Sequence, residues 1–229
     1  MNILLISTTT HTTKSTSKRL LEVLNHVFTT NGHSTRLIDA AQLHIVNNLS
    51  CYASGKFNCA SFDAGQYRCW AHKLSHDNPE SYGGADEMGL IYDNIAWADI
   101  VIFATSVRWE SHSAVLQKVI ERLTTIQNRH VVYNEPNSLL GKKCGVVVTG
   151  HNAKAQSVAS HLLEVFQWIG FHTEFFYQVV WQKTQNLHSE VPMTTDLPAL
   201  NNFLKTADAN DQIIRFVDLI LQPNPTHCA

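Results

Sequence analysis

Two loops crowded with hydroxyl side chains follow the apolar runs at residues 2–6 and 99–104. The first loop extends from Ser7 to Ser17, and the second covers residues 105–113. If these runs are the first and third strands of a doubly wound sheet, both loops lie at one edge of that sheet. Ligands of such sheets bind outside the carboxyl ends of the strands, where the strand order reverses. The pairing therefore predicts a site for a nucleotide-type ligand, with a flavin as the leading candidate.

The first loop has the composition of a phosphate-binding loop. A phosphate at the start of a helix gains from free backbone N–H groups and from the positive end of the helix dipole. Hydroxyl groups can add hydrogen bonds there, and the candidates are Ser7, Thr9, Thr10, Ser15, Thr16 and Ser17. The loop carries neither a GxxxxGK nor a GxGxxG pattern, so a monophosphate such as that of FMN fits better than a pyrophosphate. A threonine-rich turn that only caps a helix is the alternative interpretation.

The second loop supplies groups that suit a flat ring with backbone amides at its edge. Trp109 could form an apolar wall, and Arg108 could stabilise negative charge on a reduced ring. The candidate ring contacts are Thr105, Ser106, Val107, Arg108 and Trp109. The alternative interpretation buries Trp109 in a subunit interface and pairs Arg108 with Glu110.

The third candidate loop follows an apolar run at residues 143–149, which places it beside the second loop in such a sheet. Its members are Thr149, Gly150, His151 and Asn152. Gly150 would let the backbone approach a ligand closely, and His151 and Asn152 could donate hydrogen bonds to ring oxygens. His151 and Arg108 are the candidate catalytic groups, although chemistry carried by a flavin demands neither of them. A helix N-terminus capped by Asn152 is the alternative interpretation.

Apolar patterns place these loops in an alternating series of strands and helices. Strands are indicated at residues 2–6, 35–39, 99–104, 143–149 and 171–181. Helices are indicated at residues 20–28, 85–97, 113–127, 158–169 and 209–221. Such alternation is typical of parallel βαβ units with right-handed crossovers, so we predict a doubly wound five-stranded sheet of order 2-1-3-4-5. We expect one domain over residues 1–229, with an irregular insertion at 40–83 and a C-terminal extension at 182–229 that contains the last helix.

Composition and charge argue against several classes of partner. The chain has 229 residues, of which 44% are hydrophobic and 16% charged, and its net charge is −2. These values are typical of a globular protein. The chain has no excess of basic residues, which nucleic-acid binding requires. No basic leader precedes the first strand, and the longest apolar stretch, near residues 95–107, is too short to span a bilayer. We therefore expect a cytoplasmic protein without a nucleic-acid or membrane partner.

The cysteines of the insertion raise the question of a metal site. Cys51, Cys59 and Cys69 are widely spaced with no fourth cysteine nearby, so a cluster held by four cysteines is not expected. The pattern Cys69-x2-His72-x3-His76, with Cys59 as a fourth ligand, has the spacing of a zinc site. Such short patterns arise often in a chain with 13 histidines. We expect no metal and interpret the insertion as a lid or an oligomer contact.

The stretch VIFATSVRWESHSAVLQKVIERL at residues 101–123 resembles the NADPH-dependent FMN reductase-like proteins and the NAD(P)H:quinone oxidoreductases. Those families have the flavodoxin-like fold and stand near the iron–sulfur flavoproteins. Shorter matches are DEM at 86–88, WAD at 97–99, TG at 149–150 and the Ser15-Thr16-Ser17 turn. The resemblance covers residues 2–176 and is most specific over 97–123.

The resemblance implies a flavodoxin-like enzyme with a non-covalently bound FMN. It implies hydride transfer from NAD(P)H through flavin N5 to a small acceptor such as a quinone or a flavin. By the same resemblance, Ser15 and Ser17 bind the phosphate, while the ring contacts are Thr105, Val107, Arg108 and Trp109. The chain departs from the family pattern at Ser106, where a proline is common, and its first loop is a few residues longer.

Two other classes of function stay open at this stage. An electron-transfer flavoprotein would bind FMN without oxidising NAD(P)H by itself. A non-flavin α/β binding module would be colourless and would not take up added FMN. For the enzyme, we expect a homodimer or homotetramer, in which a second subunit completes the pocket.

Overall fold

The computed structural model describes residues 1–11, 15–51, 69–151, 154–183, 201–202 and 204–223. Its strands are β1 (Asn2–Ser7), β2 (Ser34–Asp39), β3 (Ile100–Ser106), β4 (Lys143–His151) and β5 (Gln178–Lys183). Its helices are α1 (Thr16–Thr30), α2 (Trp70–Asp77), α3 (Pro79–Tyr82), α4 (Met88–Trp97), α5 (Ala114–Tyr133), α6 (Ala155–Ile169) and α7 (Ala207–Leu221). A short 3₁₀ helix, Ala40–Gln42, follows β2.

The five strands form one parallel sheet in the order β2-β1-β3-β4-β5, which confirms the predicted topology. In the register of the central strands, Ile3 lies opposite Ile100, which in turn lies opposite Lys143. Strand order reverses between β1 and β3. The loops that leave these two strands therefore flank the point where ligands of doubly wound sheets bind.

Helices cover both faces of the sheet. Phe103 of β3 stacks on Phe166 of α6, with their ring centroids 4.5 Å apart. The neighbouring position Ile102 lies opposite Gly145 of β4, and a Cβ at Gly145 would stand 2.9 Å from Phe216 of α7. Because successive side chains of a strand point to opposite faces, α6 and α7 lie on different sides. Double coverage explains why the central strands are apolar and buried along most of their length.

Most element boundaries lie within a few residues of the sequence pattern, and the end of α5 and the start of β5 differ most. Helix α5 continues to Tyr133 and ends at Asn134, whose left-handed backbone (φ 54°) caps the helix. Pairing of β5 with β4 starts only at Gln178, since the preceding segment turns back through a hydrogen bond from Tyr177 N–H to the Glu174 carbonyl. Both differences reflect local turns that apolar periodicity does not register.

The insertion at 40–83 contains helices α2 and α3 where the structure describes it, and residues 52–68 lie outside the described residues. A buried ion pair fastens this region to α5. Both Nη atoms of Arg122 donate to the Asp86 carboxylate at 2.8 Å, and Nη1 also donates to the Val46 carbonyl at 2.8 Å. Burial acts to raise the pKa of Asp86, but hydrogen bonds from His72 and Arg122 outweigh it and hold that pKa well below its usual range.

In the part of the chain that the structure describes, no helix combines the length and the apolar character needed to cross a membrane.

Candidate functional site

The three hydroxyl-rich loops meet at the carboxyl edge of the sheet. Thr8 N–H donates to the Ala104 carbonyl at 2.9 Å, which joins the first loop to β3. Ser113 Oγ, at the end of the second loop, donates to the Thr8 carbonyl at 2.8 Å. Val107 N–H donates to the Thr149 carbonyl at 2.8 Å, which joins the second loop to the third. The predicted convergence of the loops after β1 and β3 is therefore confirmed.

The first loop ends on the N-terminus of α1. Ser15 caps the helix by accepting from Lys18 N–H at 3.2 Å, and its Oγ lies 3.1 Å from Ser17 Oγ. Thr16 Oγ1 donates to Thr149 Oγ1 at 3.1 Å. These contacts gather three hydroxyls at the start of α1, and Thr16 joins them to the third loop. Free N–H groups of a helix start are groups that can bind a phosphate.

Two buried hydroxyls at the strand ends lack a partner. Ser7 Oγ closes β1 and Ser106 Oγ closes β3, and neither makes a hydrogen bond to any of the described residues. A buried polar group left unpaired costs about 1–3 kcal/mol, so such groups are rare in native structures. Of the remaining predicted residues of the first loop, Thr9 is buried and Thr10 is exposed. The two serine hydroxyls are therefore available to a ligand bound at this edge.

The second loop turns back on itself in a strained two-residue hairpin. Arg108 and Ser111 exchange both backbone hydrogen bonds, at 2.7 and 2.9 Å. The central residues Trp109 and Glu110 have φ angles of 48° and 63°. Glycine and asparagine are the usual residues at such positions, and for other side chains the conformation costs about 1–2 kcal/mol each. The Trp109 side chain is fully exposed, so the strained turn presents a bare aromatic ring at this edge.

The third loop packs against the second. A Cβ at Gly150 would stand 2.9 Å from Val107 Cγ2, so glycine here permits contact between two loops. Glu110 reaches Lys154, which is itself left-handed, with 3.6 Å between Oε2 and Nζ. His151 is the last residue of β4, and Asn152 lies outside the described residues.

The position of the second loop depends on residues that the sequence patterns did not single out. Ser113 N–H donates to the buried Thr105 Oγ1 at 3.0 Å, so the predicted ring contact Thr105 also anchors the start of α5. Ser113 caps α5 by accepting from Leu116 N–H, and Thr8 Oγ1 donates to the Ala104 carbonyl at 2.8 Å. A serine directly before a helical pattern is a common N-cap, and that signal could have identified Ser113.

The two histidines of the predicted zinc pattern contact Asp86. His72 Nδ1 lies 3.3 Å from Asp86 Oδ2, and His76 Nε2 donates to the Asp86 carbonyl at 3.0 Å. Across the described ranges, no three His, Cys, Asp or Glu side chains assemble into a group that could hold a metal ion. Cys59, the fourth ligand of the zinc hypothesis, lies outside those ranges.

Comparison with known proteins gives one sequence match and several matches of fold. A family described as NADPH-dependent FMN reductase matches residues 1–185. No curated protein has a matching sequence.

Three solved structures illustrate the similarity of fold. RosB with a bound 8-demethyl-8-formylriboflavin-5′-phosphate is 16% identical with a TM-score of 0.67, covering 95% of this chain and 76% of RosB. An NADH:FMN oxidoreductase (EMOB) is 16% identical with a TM-score of 0.56, covering 96% of this chain and 87% of its own. An azoreductase from Bacillus anthracis str. Sterne is 13% identical with a TM-score of 0.59, covering 94% and 99%. At these identities the neighbours show the fold alone.

Proposed function

The chain belongs to the NADPH-dependent FMN reductase family, and from that premise we propose that it is an FMN-dependent NAD(P)H oxidoreductase that reduces a small acceptor, a quinone or a flavin. Membership of the family supports FMN as the cofactor and NAD(P)H as the electron donor. The acceptor and the transfer of hydride through flavin N5 are our proposal. The observation that carries it is the pair of buried serine hydroxyls without partners, Ser7 and Ser106, at the edge where three loops meet.

The residues at this edge fit the two ends of FMN. We propose that Ser15, Thr16 and Ser17 bind the phosphate, because their hydroxyls surround the start of α1. A phosphate monoester gains there from hydrogen bonds and from the helix dipole. Thr9 and Thr10 of the same loop would extend this set toward the rest of the cofactor.

The second and third loops fit the ring. Val107 is half-buried, and the two residues that follow it, Arg108 and Trp109, are exposed. The second loop therefore offers an apolar surface, a positive charge and an aromatic ring to the flavin. We propose ring contacts from Thr105 to Trp109 and from Thr149 to Asn152. Ser106 Oγ is buried and has no hydrogen-bond partner in the described residues. We therefore expect it to bind the ring through a hydrogen bond.

FMN, when bound, supplies hydride transfer between a nicotinamide and an acceptor. The protein's contribution is to bind the cofactor, orient its ring and tune its reactivity. Arg108 would place positive charge where negative charge develops on reduction, and Trp109 would fix the plane of the ring by contact. The hairpin that carries both residues is held by Thr105 and Ser113, so their positions are set before any ligand binds.

We also propose that residues 1–229 act as one domain and that the enzyme is a homodimer or homotetramer. The C-terminal helix α7 supports the first point, since Lys143 Nζ of β4 donates to the Ile220 carbonyl at 3.0 Å. The fully exposed Trp109 supports the second, because a subunit contact would bury it beside the cofactor. Light scattering during size exclusion tests the oligomer directly, and a monomer at enzyme concentrations that sustain turnover contradicts it.

The first experiment titrates the purified chain with FMN and with riboflavin, followed by flavin fluorescence. We expect FMN to bind at least about tenfold more tightly, because the phosphate makes charge-assisted hydrogen bonds that riboflavin cannot make. Ser15→Ala combined with Ser17→Ala should remove most of that preference. Ser160→Ala, on the outer part of α6, is the matched control. A chain that takes up neither flavin contradicts the proposal.

The second experiment measures NADH and NADPH consumption with a quinone or with free flavin as acceptor. We expect steady-state turnover that falls at least about tenfold in Arg108→Ala combined with Trp109→Ala. FMN bound without any NAD(P)H oxidation would favour an electron-transfer flavoprotein instead. Unchanged flavin affinity and turnover in the double variant would show that the second loop is misassigned.

A further inference from the structure

A small cavity outside the flavin site brings two cysteines together. It lies between the arm at residues 48–51, the start of α2 and the inner face of α5, and Cys51, Cys69 and Arg122 line it. Its volume is about 20 Å³, which is room for about one water molecule. Both cysteines are thiols in the structure. Two sulfur-bearing side chains thus border one space no larger than a small oxidant.

The arm that carries Cys51 is fixed on α5. Asn48 Nδ2 donates to the Glu121 carbonyl at 2.7 Å, and Ser50 N–H donates to Asn48 Oδ1 at 2.7 Å. Ser50 has a left-handed backbone with a φ of 50°, which costs about 1–2 kcal/mol for a residue other than glycine. The turn that directs Cys51 toward the cavity is therefore strained and anchored by side-chain hydrogen bonds.

Cys69 lies at the start of a helix, beside a buried arginine. It is the N-cap of α2, and its side chain makes no capping hydrogen bond. Arg122 lines the same cavity, and its side chain is only 1% exposed. Arg122 Nε is buried and has no hydrogen-bond partner among the described residues. Asp86 compensates the charge of Arg122 at the Nη atoms, and the Nε–H group is the donor left for a neighbouring sulfur. A helix start and a nearby arginine are features of reactive thiols.

We propose that Cys51 and Cys69 are a peroxide-reactive pair that closes to a disulfide across this cavity. The Cys69 thiolate attacks one oxygen of hydrogen peroxide, the O–O bond breaks, and Cys69 becomes a sulfenic acid while hydroxide leaves and takes up a proton as water. The Cys51 thiolate then attacks the Cys69 sulfur. The S–S bond forms, the S–O bond breaks, and the second hydroxide leaves as water. The two thiols together supply the two electrons that reduce the peroxide.

The experiment uses the full chain, reduced and then freed of reductant, with one equivalent of hydrogen peroxide. Trypsin cleaves after Lys56 and Arg68, so Cys51, Cys59 and Cys69 fall on separate peptides. We expect the loss of two of the five thiols and a Cys51–Cys69 linked peptide pair, both reversed by dithiothreitol. The readout is mass spectrometry and does not depend on bound flavin or on turnover.

Single variants assign the two steps. Cys69→Ala should slow thiol loss at least about tenfold, whereas Cys51→Ala should leave Cys69 as a sulfenic acid that dimedone labels. Cys59→Ala and Cys228→Ala are the matched controls and should keep the linked pair. Cys69→Ser and Cys51→Ser repeat the test if an alanine variant does not fold. No thiol loss, a link through Cys59 or Cys228, or an unchanged rate without Cys69 would overturn the proposal.

Discussion

Replacing Asp86 with asparagine should be among the most damaging single changes in the chain. The Asp86 side chain is fully buried and the Arg122 side chain is 1% exposed. Their two hydrogen bonds of 2.8 Å join a contact of 2.9 Å from Val46 N–H to the same carboxylate. An asparagine at this position would keep the shape of the side chain but would leave the Arg122 charge uncompensated away from water.

The magnitude follows from the burial of both charges. Removing one partner of a buried ion pair costs about 3–5 kcal/mol, because the remaining charge is desolvated without compensation. For a chain of this size, each kcal/mol shifts the melting temperature by about 2–4 °C. We therefore expect Asp86→Asn to melt about 6–20 °C below the unchanged chain.

Thermal and urea unfolding by circular dichroism measure the loss. Asp77→Asn is the matched control, since Asp77 pairs with Lys73 on the exposed side of α2 and should change stability by less than about 0.5 kcal/mol. Asp86→Leu combined with Arg122→Met removes both charges and should recover part of the loss. If Asp86→Asn costs no more than Asp77→Asn, the buried pair does not hold the insertion to α5.

The same carboxylate predicts a pH dependence. Hydrogen bonds hold the pKa of folded Asp86 well below its usual range despite burial, so the unfolded chain binds the proton more readily. The contribution to stability is therefore present above the unfolded pKa of about 3.9 and is lost as the pH falls through the folded pKa. The stability difference between the unchanged chain and Asp86→Asn should be constant near neutral pH and should shrink in acid.

Three further changes test the candidate site. Glu110→Gly relieves a left-handed backbone at φ 63° and should raise unfolding stability by about 1 kcal/mol; an unchanged or lower melting temperature contradicts the strain. Gly150→Ala sets a Cβ 2.9 Å from Val107, so it should lower the free energy of unfolding by about 1–3 kcal/mol. Adding Val107→Ala should restore part of that stability. Ser113→Ala removes the cap of α5 and the hydrogen bond to the Thr8 carbonyl, which should lower the free energy of unfolding by about 1–2 kcal/mol. It should also weaken FMN binding, and an unchanged FMN Kd would show that Ser113 contributes to folding but not to the cofactor site.

The fold was predictable because its signals are repeated and local. Apolar runs that end in polar loops marked the buried strands, and helical apolar periodicity marked the helices between them. The helices α2 and α3 were not predicted, because α2 has no side-chain cap bond and α3 is a single turn. Their place depends on Asp86 and Arg122, which are 36 residues apart in sequence. Contacts between residues so far apart in sequence leave no periodic pattern of residue types.

The candidate site was predictable in position but not in detail. Loop composition located the edge, since hydroxyl side chains follow three adjacent strands. The sequence could not reveal that Thr105 anchors Ser113, or that Gly150 makes room for Val107. Both depend on the register of neighbouring strands and on backbone angles. Such features are set by tertiary packing and are invisible in a pattern of residue types.

Backbone strain gives an argument for the two sites that does not depend on family. The non-glycine residues with left-handed backbones in the described ranges are Ser50, Trp109, Glu110, Asn134 and Lys154. Asn134 needs no further explanation, because it ends α5 as a helix cap. Trp109, Glu110 and Lys154 lie at the edge where Ser7 and Ser106 lack partners among the described residues. Ser50 precedes Cys51, which lines the small cavity beside α5. A strained backbone persists only where the surrounding structure holds it in place, and such residues cluster at functional sites. Apart from the Asn134 cap, the left-handed residues therefore lie at the two proposed sites, an observation that depends on no relative.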